Sequence, residues 1–533
     1  MKNSRFINYL VNLIFPAVVF GSITGVLTGA VITVYKWCAK NAVELSKQLY
    51  GFLHNYLYLL PVVLLVLFGV SYLFSLIYKR NPNLRGGGIP TSIAILRGII
   101  TFRWLRNLIG VFFMSLVNFL VGVPLGSEGP SVQMGTALGR GSNKLFAKKH
   151  TAWDRYSMTG GACAGFAVAT GAPISGIMFA IEEAHQRIAP MIIIVSATAV
   201  VFATIVSELL SPILMVSTTL FPKMTLMSLS IKDIWLPVVM GVTVGTFSVV
   251  FLKYYKFISK YVRRLIKNVP VYVKIFAIFV ITICLGLVSF SFISTGHELI
   301  LSLFKVDVAV WFLLIILLVR STLTLLANTN GITGGVFLPI LAIGAVFSSI
   351  VSRLVCMAFN LDQAYFVIML VLGIVSCVSG MMKMPLTAIV FAIEALFCFN
   401  NIFFVIIASA TSFVMTEIFG AKAITESVIE TRVADLHHTK TLKVYDTFVT
   451  VKKGSFAVGK QMRDILWPAN LFILSLQRKE TVDTEVDEHG GTAIKIGDIL
   501  HVRYSTYDEP ATKREITSIV GEQDYNEQEA TVI

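Results

Sequence analysis

Glu128 combines an ionisable side chain with surroundings that suit an ion pathway. It lies in Gly126-Ser127-Glu128-Gly129-Pro130, between two long apolar stretches. An ionisable group at membrane depth is costly, and by default it marks an ion or proton pathway. The glycines allow a close backbone approach, and Pro130 suits the first turn of a helix. Because a helix start presents unpaired N–H groups to an anion, the Glu128 carboxylate could compete with that anion and act as a gate.

Two further loops rich in glycine and proline precede helical segments. They are Gly86-Gly87-Gly88-Ile89-Pro90 and Gly334-Gly335-Val336-Phe337-Leu338-Pro339. One such loop would be weak evidence, because these loops are common. Three in one membrane chain predict helix starts that converge on an anion through backbone N–H groups, which would bind the anion without trapping it. The alternative is a set of tightly packed helix breaks that hold no ligand.

An acidic pair, Glu182 and Glu183, follows Ala172-Pro173 at the end of a helical run. A carboxylate on the inner side could receive a proton from water and relay it toward Glu128. The alternative is an acidic helix end that is solvated at the cytoplasmic face. We favour the relay because Glu128 is present.

These residues lie within a strongly apolar chain. Of its 533 residues, 56% are apolar and 14% are charged, and the mean hydropathy is +0.78. Apolar runs of spanning length recur, and shorter runs broken by Gly or Pro lie between them, which predicts an all-α multi-pass membrane protein. No nucleophile–base or metal constellation supports an enzyme. The net charge of +14 reflects basic membrane loops and does not imply nucleic-acid binding.

The membrane part contains an internal repeat. The stretch from Ala172 to Glu182 recurs as the stretch from Met384 to Glu394, at an offset of 212 residues. The stretch 130–135 has a counterpart in 339–344, at an offset of 209. Repeated halves with broken helices in corresponding places predict a binding site at the interface of the repeats. We interpret Glu394, the counterpart of Glu182, as a structural residue.

The three loops together resemble the signature loops of the CLC family of chloride channels and chloride/proton antiporters, over most of residues 10–432. The resemblance implies two inverted repeats per subunit and a homodimer with one pore in each subunit. It makes Glu128 the external gate, Glu183 the internal proton-transfer glutamate and Glu182 its neighbour. The anion path that it implies is lined by Gly87, Gly88, Ile89, Pro90, Gly126, Ser127, Gly129, Val336, Phe337 and Thr425.

Two positions depart from the family pattern. Gly87 stands where the family usually has a serine whose hydroxyl helps to hold the central anion. Thr425 aligns with a tyrosine that usually closes the inner side of the same site. The resemblance therefore implies a wider central site, looser coupling of anion to proton, and an anion that could be chloride, nitrate or fluoride.

The composition changes near residue 432, where apolar segments give way to short alternating strands. We predict a membrane domain at 1–432, a linker at 433–442, a small α+β domain at 443–507 and a charged tail at 508–533. The small domain resembles the TrkA-C (RCK-C) regulatory module in the segments 458–464, 471–478 and 495–502. Some such modules bind cyclic di-AMP at a dimer interface, which would place Leu471, Phe472, Ile473 and Leu474 in the cleft. The alternative is a dimerisation module without a ligand.

Together these features predict a homodimeric anion/proton antiporter that needs no cofactor and lies in a cell membrane. Lys2 and Arg5 before the first apolar run favour a cytoplasmic N-terminus. The pairing of the two domains suggests a bacterial source and a cytoplasmic C-terminal domain. The alternatives are a passive voltage- or ligand-gated chloride channel, a transporter of fluoride or nitrate, and a ligand sensor or cation-transport subunit.

Overall fold

The computed structural model describes residues 13–146, 151–305, 308–436, 441–468, 470–478, 481–484, 491–523 and 531–532. Helices make up the described chain as far as Leu436, and a small sheet with one helix follows. The predicted helical membrane protein with a C-terminal α+β unit is confirmed at this level. Lys2, Arg5 and part of the predicted linker lie outside the described residues.

The membrane domain contains seventeen α-helices in its described residues. The first eight are α1 (Phe15–Asn55), α2 (Leu60–Arg80), α3 (Gly88–Leu96), α4 (Trp104–Val121), α5 (Glu128–Phe146), α6 (Asp154–Thr170), α7 (Pro173–Phe179) and α8 (Pro190–Leu214). The others are α9 (Trp235–Leu265), α10 (Val271–Val288), α11 (His297–Leu303), α12 (Val310–Thr329), α13 (Phe337–Phe359), α14 (Gln363–Met382), α15 (Pro385–Glu394), α16 (Ile402–Ile418) and α17 (Ile424–Leu436). Ten helices of the described chain are long and apolar enough to cross a membrane.

Proline and glycine set the ends of the helices around the site. Helix α6 ends at Gly171, which adopts the left-handed conformation with φ +66°. Pro173 then starts the half-length helix α7, and Pro385 starts its repeat counterpart α15 in the same way. The repeated Pro residues therefore place two short helices at equivalent points of the two halves.

Helices α5 and α6 approach so closely that only glycine fits at their crossing. A Cβ atom on Gly135 would lie 2.0 Å from the carbonyl oxygen of Gly161, and a Cβ atom on Gly161 would lie 2.0 Å from that of Gly135. Close backbone contact through small residues is a common way to pack helices in membranes. This contact fixes α5, which carries Glu128 at its first position.

The C-terminal unit is a five-stranded antiparallel sheet in the order β3-β2-β4-β1-β5. The strands are β1 (Lys443–Thr450), β2 (Leu471–Arg478), β3 (Thr481–Thr484), β4 (Ile499–Thr506) and β5 (Thr531–Val532). Alternate residues of β4, namely Leu500, Val502 and Tyr504, point into the core of this unit.

The segment predicted as a charged tail contains helix α18 (Glu509–Val520). Asp508 caps its start by accepting a hydrogen bond from the N–H group of Ala511 at 3.2 Å. Its buried Ile516, Ile519 and Val520 belong to the same core as the sheet. The folded unit therefore extends past residue 507, because the charged residues of this segment cover one face of an amphipathic helix.

The C-terminal unit docks on the membrane domain through well-formed hydrogen bonds. Tyr156 donates its hydroxyl to the carbonyl of Asp464 at 2.7 Å and accepts from the N–H group of Leu466 at 2.8 Å. Arg187 donates to the carbonyl of Ile465 at 2.8 Å. We call the side of the membrane domain that carries these contacts the domain face.

Candidate functional site

The three glycine-rich loops meet at one point in the membrane domain. Gly126 and Gly335 exchange two backbone hydrogen bonds of 2.7 and 2.8 Å, which join the second loop to the third. A Cβ atom on Gly129 would lie 2.5 Å from the Cα atom of Gly335. A Cβ atom on Gly88 would lie 1.9 Å from the carbonyl oxygen of Gly129, so the first loop reaches the same point. Any side chain at these glycines would separate the loops.

Each loop leads directly into a helix. The first helical hydrogen bonds run from Thr91 to Gly87, from Ser131 to Ser127 and from Ile340 to Val336. The N–H groups that precede these donors have no partner within their own helices. The remaining predicted residues of the path belong to these starts: Gly88, Ile89, Pro90, Val336 and Phe337 are buried, and Ser127 is half-buried. Three helix N-termini therefore converge, as an anion site requires.

The Glu128 side chain occupies the meeting point of the second and third loops. It is fully buried, and Ser127 donates its hydroxyl to Glu128 Oε1 at 3.3 Å. The N–H groups of Glu128 itself and of Leu338 face the carboxylate. Glu128 Oε2 is buried without a hydrogen bond of normal geometry to any described residue. The carboxylate therefore lies where helices α5 and α13 would present their N-termini to an anion.

A cavity of about 320 Å³ reaches Glu128 from the side away from the domain face. Helix α8 begins beside the residues that touch the C-terminal unit, and its 25 residues carry the chain about 37 Å to Leu214. The following loop contributes Val216, Ser217, Thr219 and Leu220 to the cavity wall. Lys36 also lines this cavity and donates to the carbonyls of Val168 and Thr218 at 3.3 and 3.2 Å. Sequence reasoning had not identified Lys36.

Glu183 lies nearer the domain face, in a single π-helical turn, Ala180–Ala184, that follows α7. Its side chain is buried, with 6% of its surface exposed. Thr425, in the first turn of α17, donates its hydroxyl to Glu183 Oε1 at 2.6 Å. Glu183 Oε2 is buried without a partner among the described residues. The residue predicted to close the anion site thus contacts the predicted proton-transfer glutamate.

Glu182 and Glu394 each cap the half-length helix of the opposite repeat. Glu182 accepts hydrogen bonds from the N–H groups of Leu386 and Thr387 at 2.9 and 2.7 Å, at the start of α15. Glu394 accepts from the N–H groups of Ile174 and Ser175 at 2.8 and 2.9 Å, at the start of α7. These carboxylates satisfy the free N–H groups of both half-length helices and complement the helix dipoles. The equal spacing of Pro and Glu in the two repeats was the sequence signal for this exchange.

A second cavity, of about 330 Å³, reaches the first loop from the other side of the site. Its wall includes Arg85, Gly86, Arg263, Asn328 and Arg432. The Arg432 guanidinium donates to the hydroxyl of Thr91 in α3 and, at 3.3 Å, to the carbonyl of Pro82. The approach to the loops from this second cavity is therefore basic, a feature that sequence reasoning did not assign to particular residues.

The strand residues proposed from the TrkA-C resemblance lie in β2. Leu471 is buried and Ile473 is half-buried. Phe472 and Leu474 are 65% and 41% exposed, on the face of the sheet turned away from its core. The described part of this unit thus presents two large apolar side chains to its surroundings.

Comparison with known proteins identifies the family and the fold of the chain. A family model described as "Voltage gated chloride channel" matches residues 68–417. A slow cyanobacterial Cl−/H+ antiporter is similar in structure, with a TM-score of 0.71 and 24% identity, over 78% of this chain and 98% of that chain. A eukaryotic CLC transporter has a TM-score of 0.63 and 18% identity, over 80% of this chain and 74% of that chain. A CLC-type fluoride/proton antiporter has a TM-score of 0.60 and 21% identity, over 76% of this chain and 96% of that chain.

Proposed function

The chain belongs to the voltage-gated chloride channel (CLC) family of transporters, and we propose that it exchanges an inorganic anion for protons under the control of Glu128. The observation that carries this proposal is the buried Glu128 carboxylate at the converging helix starts. An ionised carboxylate there takes the place of an anion. Once protonated, it loses its attraction to the helix N-termini and can move into the adjoining cavity of about 320 Å³. The anion then enters.

Protons reach Glu128 from Glu183 in this proposal. Each of the two buried carboxyl groups has one oxygen that accepts a hydrogen bond from a side chain and one, Oε2, that makes no hydrogen bond of normal geometry to a described residue. A buried carboxylate with an unsatisfied oxygen gains from binding a proton, because the neutral form costs less to bury. Thr425 donates to Glu183 Oε1, while Glu182, the residue next to Glu183, caps the start of α15. Water at the domain face supplies the proton.

A flux assay on purified protein in lipid vesicles tests the exchange directly. A chloride gradient across the vesicle membrane should drive protons uphill, because an exchanger couples the two movements. Chloride flux without proton movement would contradict exchange and would support the passive channel as the alternative. Competition among chloride, nitrate and fluoride in the same assay identifies the anion, and the similarity to a fluoride/proton antiporter makes fluoride a necessary member of the set.

The half-length helices support a homodimer. Ile174 and Leu386, in the first turns of α7 and α15, are 55% and 52% exposed, and the capping carboxylates of Glu182 and Glu394 are half-buried. Lipid is a poor neighbour for helix ends and carboxylates, so protein should cover this surface. A second copy of the chain supplies that cover in a family of paired pores. Cross-linking of cysteines introduced at Ile174 and Leu386 across two copies tests the arrangement, and purely monomeric protein in membranes would contradict it.

We also place the domain face in the cytoplasm of a bacterial cell, with the C-terminal unit as a TrkA-C module. Its exposed side chains, Phe472 and Leu474, would pack against the same strand of a second copy, and the two strands would form a cleft for cyclic di-AMP. Calorimetric titration of the full-length protein with cyclic di-AMP tests the ligand, with Phe472→Ala as the variant expected to lose it. Absence of binding at micromolar ligand would leave a dimerisation module.

A further inference from the structure

On the inner side of the proposed anion path, neither of two positions, Gly87 and Thr425, offers a hydroxyl group to an anion. Gly87 carries no side chain, and the hydroxyl of Thr425 donates to Glu183 Oε1 at 2.6 Å. Helix N–H groups alone would then face an anion as it leaves the second cavity for the loops. An anion that loses its water there needs further donors, since an uncompensated charge is costly to bury.

Asn328 lies at this position and has a free donor. It belongs to the last turn of α12, and its side chain is buried with 6% of its surface exposed. Its Nδ2 atom has no hydrogen-bond partner among the described residues. The end of its side chain reaches the first loop: Oδ1 lies 3.7 Å from the point where a Cβ atom on Gly87 would be, and a half-turn of the amide brings Nδ2 to the same place. Because a buried amide without a partner is costly, this N–H₂ group calls for a ligand.

The backbone fixes Asn328 against the first loop. Gly86 donates its N–H group to the carbonyl of Gly331 at 2.9 Å, and Gly331 donates its own to the carbonyl of Asn328 at 3.0 Å. Both Gly86 and Asn328 line the cavity of about 330 Å³. The amide is therefore held at the mouth of the loop where the cavity begins, by a chain of backbone hydrogen bonds.

Positive charge surrounds the same cavity. Arg85, Arg263 and Arg432 all contribute to its wall. The Arg432 Nη1 atom lies 3.4 Å from the position of a Cβ atom on Gly86. It also donates a hydrogen bond to the Thr91 hydroxyl, so this guanidinium is fixed close to the loop. Such a cluster raises the local concentration of anions, while a neutral amide binds an anion directly without holding it too tightly.

We propose that the Asn328 side chain is the inner anion donor of this transporter and sets its preference among small inorganic anions. It takes the place of the hydroxyl that Gly87 lacks, and the anion bridges the amide and the N-terminus of α3. The inference rests on the proposed transport function, but it requires anion flux alone and not proton exchange.

The test compares Asn328→Ala with Asn330→Ala in reconstituted full-length protein. Asn330 is a matched control, because it is also buried at the end of α12 but already donates its Nδ2 to the carbonyl of Leu326 at 2.8 Å. Asn328→Ala should raise the chloride concentration for half-maximal flux about tenfold, as the loss of one hydrogen bond to a charged group implies. It should also change the ratio of nitrate to chloride flux. Asn330→Ala should leave both quantities unchanged.

A second variant adds a hydroxyl group beside the lost amide, so that the loss of an anion donor can be distinguished from misfolding. A Cβ atom on Gly87 would meet no atom closer than 3.3 Å, and its φ of −67° suits any residue, so Gly87→Ser is sterically feasible. Adding Gly87→Ser to Asn328→Ala should move the half-saturating chloride concentration back toward the wild-type value. An unchanged anion dependence in Asn328→Ala, or no recovery in the double variant, overturns the proposal. Wild-type anion flux without proton movement overturns exchange alone and leaves this comparison intact.

Discussion

At the scale of single residues, the proposed exchange depends on two buried carboxyl groups, each with a hydrogen-bond donor at only one of its two oxygens. Glu128 accepts a hydrogen bond from the Ser127 hydroxyl, and Glu183 accepts one from the Thr425 hydroxyl. The other oxygen of each carboxyl group is buried and makes no hydrogen bond of normal geometry to a described residue. The contact between Thr425 and Glu183 links the predicted inner end of the anion path to the predicted proton donor. It suggests that this chain passes protons close to the route of the anion.

Replacing Thr425 with valine should impair proton transfer more than anion transfer. The change removes the hydroxyl that donates to Glu183 Oε1 and leaves that buried oxygen without its hydrogen-bond donor from α17. We expect proton flux to fall about tenfold, the effect of losing a hydrogen bond worth ~1.5 kcal/mol, while chloride flux changes less. Parallel recordings of proton and chloride flux measure the ratio. Thr416→Val is the control, since that hydroxyl donates to Phe413 in its own helix. Equal losses of both fluxes would contradict the assignment.

At the scale of elements, the exchange of caps between α7 and α15 ties the two repeats together. Glu182→Gln and Glu394→Gln should each destabilise the protein by about 1 kcal/mol, because each weakens a charged cap at a helix start. Thermal unfolding in detergent measures the loss. Similar losses from both variants are expected from the symmetric contacts, and a loss from one alone would contradict a shared role. Proton flux in Glu182→Gln separately tests its predicted part in the relay.

A second element-scale contact joins α3 to α17 beside Glu183. Arg97 pairs with Glu426 at 2.8 Å and donates to the carbonyls of Glu183 and Ala184 at 3.2 and 3.3 Å. Arg97→Glu should lower proton flux about fivefold, as a partly buried pair worth ~1 kcal/mol implies. The charge-swapped double variant Arg97→Glu/Glu426→Arg should recover part of that flux. A double variant no better than Arg97→Glu would show that the ion pair is unimportant.

At the scale of the whole molecule, the C-terminal unit is anchored on the domain face close to the residues that we propose for proton transfer. Arg155 in α6 donates to the carbonyl of Trp467 at 2.8 Å and pairs with Glu515 of α18 at 2.5 Å. Gly98, which follows Arg97, packs against this pair: a Cβ atom there would lie 2.2 Å from Arg155 Nη2. A movement of the C-terminal unit would therefore displace the segment that carries Arg97.

The docked unit should become more stable as the pH rises above 8. Burial lowers the pKa of Lys460 to about 8, and its ammonium lies 4.0 Å from the centre of the Phe456 ring. Between that pH and the usual lysine pKa of about 10.4, the unfolded chain binds more protons than the folded chain, so the free energy of unfolding increases with pH. Denaturation of the C-terminal unit, followed by Trp467 fluorescence at pH 7 to 10, measures this slope. Lys460→Met should reduce the slope and the exposed Lys453→Met should retain it; equal slopes would contradict the assignment.

The sequence was informative wherever backbone conformation depends on glycine or proline. The loops at Gly86, Gly126 and Gly334 and the paired prolines of the repeats predicted which helices are broken and which starts converge. Contacts made by side chains across the fold were not accessible in this way. Asn328 lies 241 residues from Gly87, and Thr425 lies 242 residues from Glu183. No local sequence pattern therefore predicts either contact. The predicted boundary at 507 lies just before α18, because the charged outer face of this helix and its few core residues gave the segment the composition of a tail.

In the exchange that we propose, the Glu128 carboxyl group both blocks the anion and carries the proton. The most direct measurement is simultaneous chloride and proton flux through Glu128→Gln in lipid vesicles, with Glu298→Gln as the control. Glu298 lines the same cavity but pairs with Lys47 at 2.8 Å. We expect chloride flux without proton movement in Glu128→Gln and unchanged exchange in Glu298→Gln. Proton movement that remains coupled to chloride in Glu128→Gln would contradict it.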